Sequence, residues 1–127
     1  MKQAVAIVGL SVLISACSDP CVNTIVSKVN SPDGLHSVIL FQRDCGVTTG
    51  FSTHISVLVR DEALTESGNA FRADDDHGAA RVGEWEGSWA SVTWLTNDQL
   101  LIRYAQASRI FKQAANVDGV QITYKVD

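Results

Sequence analysis

Four groups of residues in this 127-residue chain have types and spacings that could do chemistry. Asp74-Asp75-Asp76-His77 offers carboxylate oxygens to a hard cation. Consecutive aspartates point different ways, however, and the alternating ligand spacing of a calcium loop is missing. A solvated acidic turn is the better reading. No metal is expected, and Asp74, Asp76 and His77 are the nearest approach to a ligand set. His36 and His54 fall in neighbouring extended segments where they could share a face, but neither has a third ligand or an evident nucleophile nearby. Thr48, Thr49, Ser52 and Thr53 crowd behind Cys45. A hydroxyl nucleophile needs a base and an orienting partner, whereas hydroxyls satisfying backbone groups in a turn explain the composition more simply. Thr48, Thr49, Phe51 and Ser52 are therefore read as a candidate recognition loop. Finally, Trp85 and Trp89 bracket Glu86-Gly87-Ser88 and form a candidate aromatic patch, with Trp94 at the opposite strand parity. Tryptophan is enriched at binding hot spots, yet in a small β domain it also serves as core or lid. No catalytic constellation emerges, and no cofactor is expected.

Those residues need a scaffold, and its ends are marked by cysteine. Met1-Lys2-Gln3 gives a short positive start, Ala4 to Ile14 is an unbroken run of apolar and small residues, and Ile14-Ser15-Ala16-Cys17 follows. The run is too short for a permanent transmembrane helix, which takes roughly 20 residues, and has the layout of a secretion signal. Ile14-Ser15-Ala16-Cys17 resembles the bacterial lipobox. That resemblance implies cleavage before Cys17 and a diacylglyceryl thioether on its sulfur, with further acylation giving a stable anchor. The chain then divides into a signal peptide (1–16), a lipidated cysteine with a short tether (17–20) and one domain (21–127). Cys17 taken by lipid leaves Cys21 and Cys45 as a pair for an oxidising compartment.

The expected domain is all-β. Val22 to Val29 and Leu35 to Arg43 flank Ser31-Pro32-Asp33-Gly34, a sequence suited to a type I turn closed by a glycine bulge. Pairing Ser31 with Leu35 and following the register outward brings Cys21 opposite Cys45, so a Cys21–Cys45 bridge is predicted at the open end of the hairpin, subject to a bulge along so long a ladder. Phe51 to Val59 alternates as a half-buried strand, broken by Leu58. Glu66-Ser67-Gly68-Asn69 marks a turn before a short strand at Ala70 to Ala73. Trp89 to Leu95 and Leu100 to Tyr104 enclose a second hairpin turning at Asn97-Asp98, and Val120 to Val126 alternates again. Ser108 to Asn116 is ambiguous: Ile110, Phe111, Ala114 and Ala115 have helical spacing over roughly two turns, which leaves room for one short helix there. The sum is a single antiparallel sheet or sandwich of about six or seven strands.

Ser31-Pro32-Asp33-Gly34, followed by Arg43-Asp44-Cys45-Gly46-Val47-Thr48-Thr49-Gly50-Phe51-Ser52-Thr53, resembles a family of small bacterial lipoproteins and envelope proteins grouped as a domain of unknown function. The similarity extends through Trp94 to Tyr104 and the last strand. It implies a single domain in the envelope and supplies no activity or catalytic residues.

Charge narrows the partners. Without Lys2, the ten basic residues become nine against fourteen acidic ones, a net charge of about −5. No basic stripe exists, so nucleic acid is not an expected partner. The membrane, reached through the lipid, and an envelope protein are. By analogy with other lipoproteins, Ser18 after the lipidated cysteine implies delivery to the outer membrane of a cell that has one, a reading Asp19 weakens. The expected role is a non-enzymatic interaction or accessory module, with a small hydrolytic or metal-dependent enzyme as the alternative. Intact mass of the membrane-extracted protein should show loss of residues 1–16 and gain of a diacylglyceryl group on Cys17. An unmodified amino terminus would end the anchoring reading.

Overall fold

The computed structural model describes residues 20–46 and 50–127, so Cys17, the signal segment, Ser18, Asp19, Thr48 and Thr49 lie outside the described residues. Nine strands and no helix occur among those described. The first sheet contains β1 (Val22–Asn30), β2 (His36–Asp44), β3 (Phe51–Val59), β4 (Phe71–Asp74) and β7 (Arg109–Gln113), in the order β1-β2-β3-β4-β7. The second contains β5 (Ala90–Thr96), β6 (Gln99–Tyr104), β8 (Asn116–Val117) and β9 (Val120–Val126), in the order β5-β6-β9-β8. Val38, Leu40, Ile55, Val57, Phe71 and Ala73 of the first sheet meet Leu100, Ile102, Val120 and Ile122 of the second in one core. This is the all-β sandwich that the short alternating segments predict, with nine strands among the described residues in place of about six or seven.

The first hairpin keeps its predicted outer register and departs from it near the turn. Ser31 pairs with His36 rather than Leu35: the Ser31 N–H donates to the His36 carbonyl at 2.9 Å. Pro32 to Leu35 thus form a four-residue loop around a type I turn, closed by the Gly34 N–H to the Ser31 carbonyl at 2.8 Å. Gly34 takes a positive φ of 74° there, which costs a residue without Cβ little. The extra loop residue is taken back in β1, where the ladder skips Val26 between Ile25↔Phe41 and Ser27↔Leu40. From Ile25 outward the predicted register holds, Val22 faces Asp44, and Cys21 and Cys45 are joined by a disulfide.

β2 and β3 run side by side for nine residues without a break, from His36↔Val59 to Asp44↔Phe51. Their inward residues enter the main core. Outward, Ile39, Phe41 and Leu58 form a second apolar cluster under Leu64 of the loop after β3. Burial on both faces explains the unbroken apolar run Val38 to Phe41 and the Leu58 that interrupts the alternation of β3. The β3–β4 ladder covers Thr53 to Ile55. Beyond it the Asn69 side chain stands in for a strand residue, its Oδ1 accepting the Val57 N–H and its Nδ2 donating to the Val57 carbonyl, both at 2.8 Å.

Two expectations are corrected. Arg109–Gln113 is β7, not part of a helix. Its ladder with β4 passes from Ala73↔Ile110 to Arg72↔Lys112, so Phe111 is a bulge residue. The extra residue breaks the period of two and places Ile110 and Phe111 side by side, which reads as helical spacing in the bare sequence. Second, the sheets are not wholly antiparallel: β9 pairs parallel to β6 from Gln99↔Gln121 to Tyr104↔Val126. The Asn97-Asp98 turn between β5 and β6 stands as predicted.

The bridge spans 24 positions. In the chain-entropy account, a closed loop of that length stabilises by about 3 kcal/mol. Replacing Cys21 and Cys45 together with alanine should lower the unfolding free energy by about that amount in urea titration. A loss under about 1 kcal/mol would mean that the ladder holds the hairpin end without the bridge.

Candidate functional site

Strand alternation gathers polar residues on the outward face of the first sheet, at its disulfide end. Arg43 projects there from β2, Ser52 and His54 from β3, and Arg72 and Asp74 from β4, because Leu40, Ile55, Phe71 and Ala73 between them point into the core. Arg109 and Phe111 of β7 complete the rim. Arg43, Cys45, Gly50, Ser52, His54, Arg72, Asp74, His77, Arg109 and Phe111 line an open hollow of about 470 Å³. A second hollow of about 450 Å³ adjoins it around the strand ends, sharing Gly50, Asp74, His77 and Arg109 and adding Phe51, Asp75 and Glu86.

His54 sits at the centre of the first hollow's floor. It is 6% exposed, and its ring tilts against Phe41 with centroids 5.4 Å apart. The Gly68 N–H donates to His54 Nδ1 at 2.8 Å. A backbone N–H is always a donor, so Nδ1 carries the lone pair and Nε2 the proton. Nε2 lies 3.0 Å from Ser52 Oγ and donates to it, and the Ser52 hydroxyl donates onward to the Arg43 carbonyl at 3.2 Å. Burial, reinforced by the charges of Arg43 and Arg72, pushes the His54 pKa down to about 4. The ring is therefore neutral at pH 7. Gly68 has to be glycine here: a Cβ would lie 2.7 Å from the Phe71 carbonyl and 2.9 Å from that of Ile55.

The arginines are held in different ways. Arg43 is only 8% exposed and donates from Nη1 to Asn23 Oδ1 at 2.7 Å. Arg72 donates from Nε to the Gly68 carbonyl at 2.8 Å. Arg109 forks onto Asp74, Nε to Oδ1 at 3.0 Å and Nη2 to Oδ2 at 2.6 Å, the bidentate geometry that suits guanidinium to carboxylate. Partial burial works against ionisation of Asp74. The Arg109 hydrogen bonds, the Asp76 N–H and the Arg109 charge outweigh it and hold the carboxyl below its ordinary value.

The residues singled out in the sequence are distributed unevenly around this site. Phe51, Ser52, Cys45, Asp74 and His77 reach the two hollows. Thr53 points the other way, accepting the Trp85 indole N–H at 2.9 Å and donating to the Ser88 carbonyl at 2.6 Å. Asp76 and His77 both have positive φ in the exposed turn, and the Asp76 N–H caps Asp74 Oδ1 at 3.0 Å. Among the described residues no three His, Cys, Asp or Glu side chains are grouped to hold a metal. His36 and His54 do not share a site. His36 lies at the opposite end of the β2–β3 ladder, 3.1 Å from Asp118. Trp85 is half-buried against the main core, Trp89 lies under the Arg81 guanidinium at 4.2 Å, and the Trp94 indole N–H donates to the Val29 carbonyl at 3.0 Å. None of the three is among the residues lining the hollows.

Sequence reasoning missed the three arginines and Phe111. Arg43 could have been found, since the β2 alternation that sends Leu40 inward sends Arg43 outward. Arg72 reaches the site by pairing with His54 in the β3–β4 ladder and Arg109 by pairing with Asp74 in the β4–β7 ladder, long-range registers that no local pattern announces. Compared with protein-family models, curated proteins and solved structures, the chain matches none.

The depressed His54 pKa has a consequence for stability. The unfolded chain takes up a proton near pH 6.5 that the folded chain refuses until about pH 4. Stability attributable to this group is complete above pH 6.5 and is lost as pH falls toward 4, by roughly 3 kcal/mol at most. His54→Gln, which can keep an acceptor for Gly68 and a donor for Ser52, should flatten the fall in melting temperature between pH 6.5 and 4. Identical acid profiles for the variant and the parent would contradict the assignment.

Proposed function

We propose that this chain is a lipid-anchored envelope protein whose β domain is a non-enzymatic binding module. The outer-face hollow beside the disulfide is its recognition site. The Ser52–His54 arrangement carries the non-enzymatic part of this reading. At 3.0 Å the pair has the spacing of a nucleophile and its base. The proton, however, runs the wrong way. His54 presents N–H to Ser52, and the lone pair a base would need is committed to Gly68. The contact acts as a brace joining β3, the 60–69 loop and the Arg43 carbonyl. It makes the hollow's floor rigid, which favours binding by limiting what must be ordered when a ligand arrives.

The anchor supports the same reading on the scale of the whole molecule. Ser18-Asp19-Pro20 would separate a lipidated Cys17 from Cys21, and three residues span at most about 10 Å. The bridged end of the hairpin, with the hollow next to it, would lie close to the lipid headgroups. Such a module meets partners of the envelope layer: proteins, glycans or small molecules held there. In its sharper form it is an inhibitor or immunity-like binder of an envelope enzyme.

The competing reading is a small hydrolase, and the 3.0 Å Ser52–His54 contact is what favours it. One experiment separates the two. The lipidated protein is crosslinked in its native envelope, with secreted Cys17→Ala as control, and then exposed to a fluorophosphonate. Binding predicts one recurrent partner or ligand lost in the control and no label on Ser52. Stoichiometric labelling of Ser52 would replace the binding reading with the hydrolase.

A further inference from the structure

We propose that β1 is a membrane-seating strand: in the anchored protein it lies along the bilayer surface and sets Val22, Ile25, Val26 and Val29 against the acyl boundary. The inference rests on the lipid-anchored reading and adds which way up the domain is held.

β1 is apolar for no internal reason. Val22, Ile25, Val26 and Val29 are 38–60% exposed, and no residue of β1 belongs to either buried apolar cluster. Strand propensity favours valine and isoleucine, but threonine serves it as well, as at Thr24. The four side chains do not share one face. Val22 and Val29 pair with Asp44 and Val38, whereas Ile25 pairs with Phe41 and Val26 is the bulge residue. They converge only on a surface that meets the sheet edge-on, where β1 is the outermost strand. A second protein strand would need a regular ladder, which the bulge denies it. A fluid bilayer needs none.

The tether and the charge select the bilayer as the occupant. Three residues, at most about 10 Å, separate a lipidated Cys17 from Cys21, and β1 starts at the next residue. From Val22 to Val29 the strand then runs about 23 Å. Between Cys21 and Pro32 the sequence has no acidic residue, and Lys28 is the only charge, in a chain with fourteen acidic and ten basic residues. An apolar strip bearing one cation suits an anionic headgroup layer. The N–H and C=O groups along a sheet edge hold such a strand at headgroup level, where water and lipid oxygens can bond them, and out of the hydrocarbon. At the far end the Trp94 indole N–H donates to the Val29 carbonyl at 3.0 Å, which ties the exposed Leu95 of β5 to the same edge. Tryptophan is itself at home in the interfacial layer. Seated this way, the first sheet rises from the membrane in the order β1-β2-β3-β4-β7. The outer-face hollow between β2 and β7 then opens sideways within about 20 Å of the lipid.

The test uses the lipidated, ¹⁵N-labelled protein in nanodiscs of phosphatidylethanolamine and phosphatidylglycerol carrying a nitroxide lipid, with intact mass establishing the acyl group on Cys17. Amide signals of Ile25, Val26 and Val29 should broaden as strongly as that of Val22, and Leu95 with them. Lys112 and Gln113, on the opposite edge of the sheet, should keep their width. Ile25→Ser combined with Val26→Ser, two changes at exposed positions, should cut the broadening at Val29 and Leu95 severalfold while the β2–β3 signals stay in place. Lys28→Glu should do the same in these discs and have little effect in discs of phosphatidylcholine alone. Broadening that fades steadily from Val22 to Val29, or that reaches Phe51 and Phe111 instead, would mean a domain standing on its disulfide end; it would overturn the proposal and leave the anchor. Shifts at β1 that need two protein copies per disc would replace the bilayer with a second copy. A native sample without lipid on Cys17 would bring down the anchored reading itself, and the seating strand with it.

Discussion

Sliding β3 past β2 by one residue would send Ser52 and His54 into the main core and bring Ile55 and Val57 out to solvent. Strand side chains alternate strictly, so a single slip exchanges the two faces of a strand. Both faces of this pair have assigned work. The inner one supplies Val38, Leu40, Ile55 and Val57 to the core, while the outer one supplies the Phe41 cluster and the floor of the hollow. The nine unbroken β2–β3 pairs therefore fix the core and the candidate site together. Everything else borders this pair. β1 and its disulfide close one side, β4 and β7 extend the other, and the loop bearing Leu64 covers the outer apolar cluster.

The outer face then changes character along its length. At the Leu58 end it is apolar and roofed. At the Cys45 end it is open and charged. His54 lies at the junction, touching Phe41 on one side and feeling Arg43 and Arg72 on the other. A charged imidazole there would meet burial and two like charges at once, so the protein uses the neutral ring as a rigid donor–acceptor spacer. β1 needs different protection, because it is exposed on both faces and presents Val22, Ile25, Val26 and Val29 to solvent at the sheet edge. Its bulge at Val26 and the charge of Lys28 are devices that discourage another strand from pairing there.

How much of this the sequence disclosed follows from the range of each signal. Patterns contained within one strand or one turn were legible: the alternation of β3 and β9, the Asn97-Asp98 turn and the Ser-Pro-Asp-Gly turn. The Cys21–Cys45 pairing was legible because hairpin register is arithmetic, and it survived because the longer loop and the Val26 bulge shift the register by one residue in opposite directions. β7 was misread where the Phe111 bulge adds a residue. The parallel course of β9 left no trace, since alternation is the same for either direction of pairing. The candidate site was half legible. Ser52, Phe51, Asp74 and His77 stood out by type, but Arg72 and Arg109 meet them only through long-range pairing.

The order in which the strands are laced also sets a timetable. β7 completes the edge of the first sheet, and β9 then enters the second between β6 and β8. A chain delivered only as far as Tyr104 has Phe71 without its neighbours Gln113 and Tyr124, and Leu100 and Ile102 without their partners in β9. Its two half-sheets could touch, but each would keep an open edge beside apolar side chains. Contacts of such long sequence separation form slowly, and incomplete edges of this kind invite aggregation. For a chain that emerges amino terminus first, the final twenty or so residues act as a latch. Until they arrive, the rest must be kept extended or shielded. Once they arrive, both sheets can close in a single cooperative step.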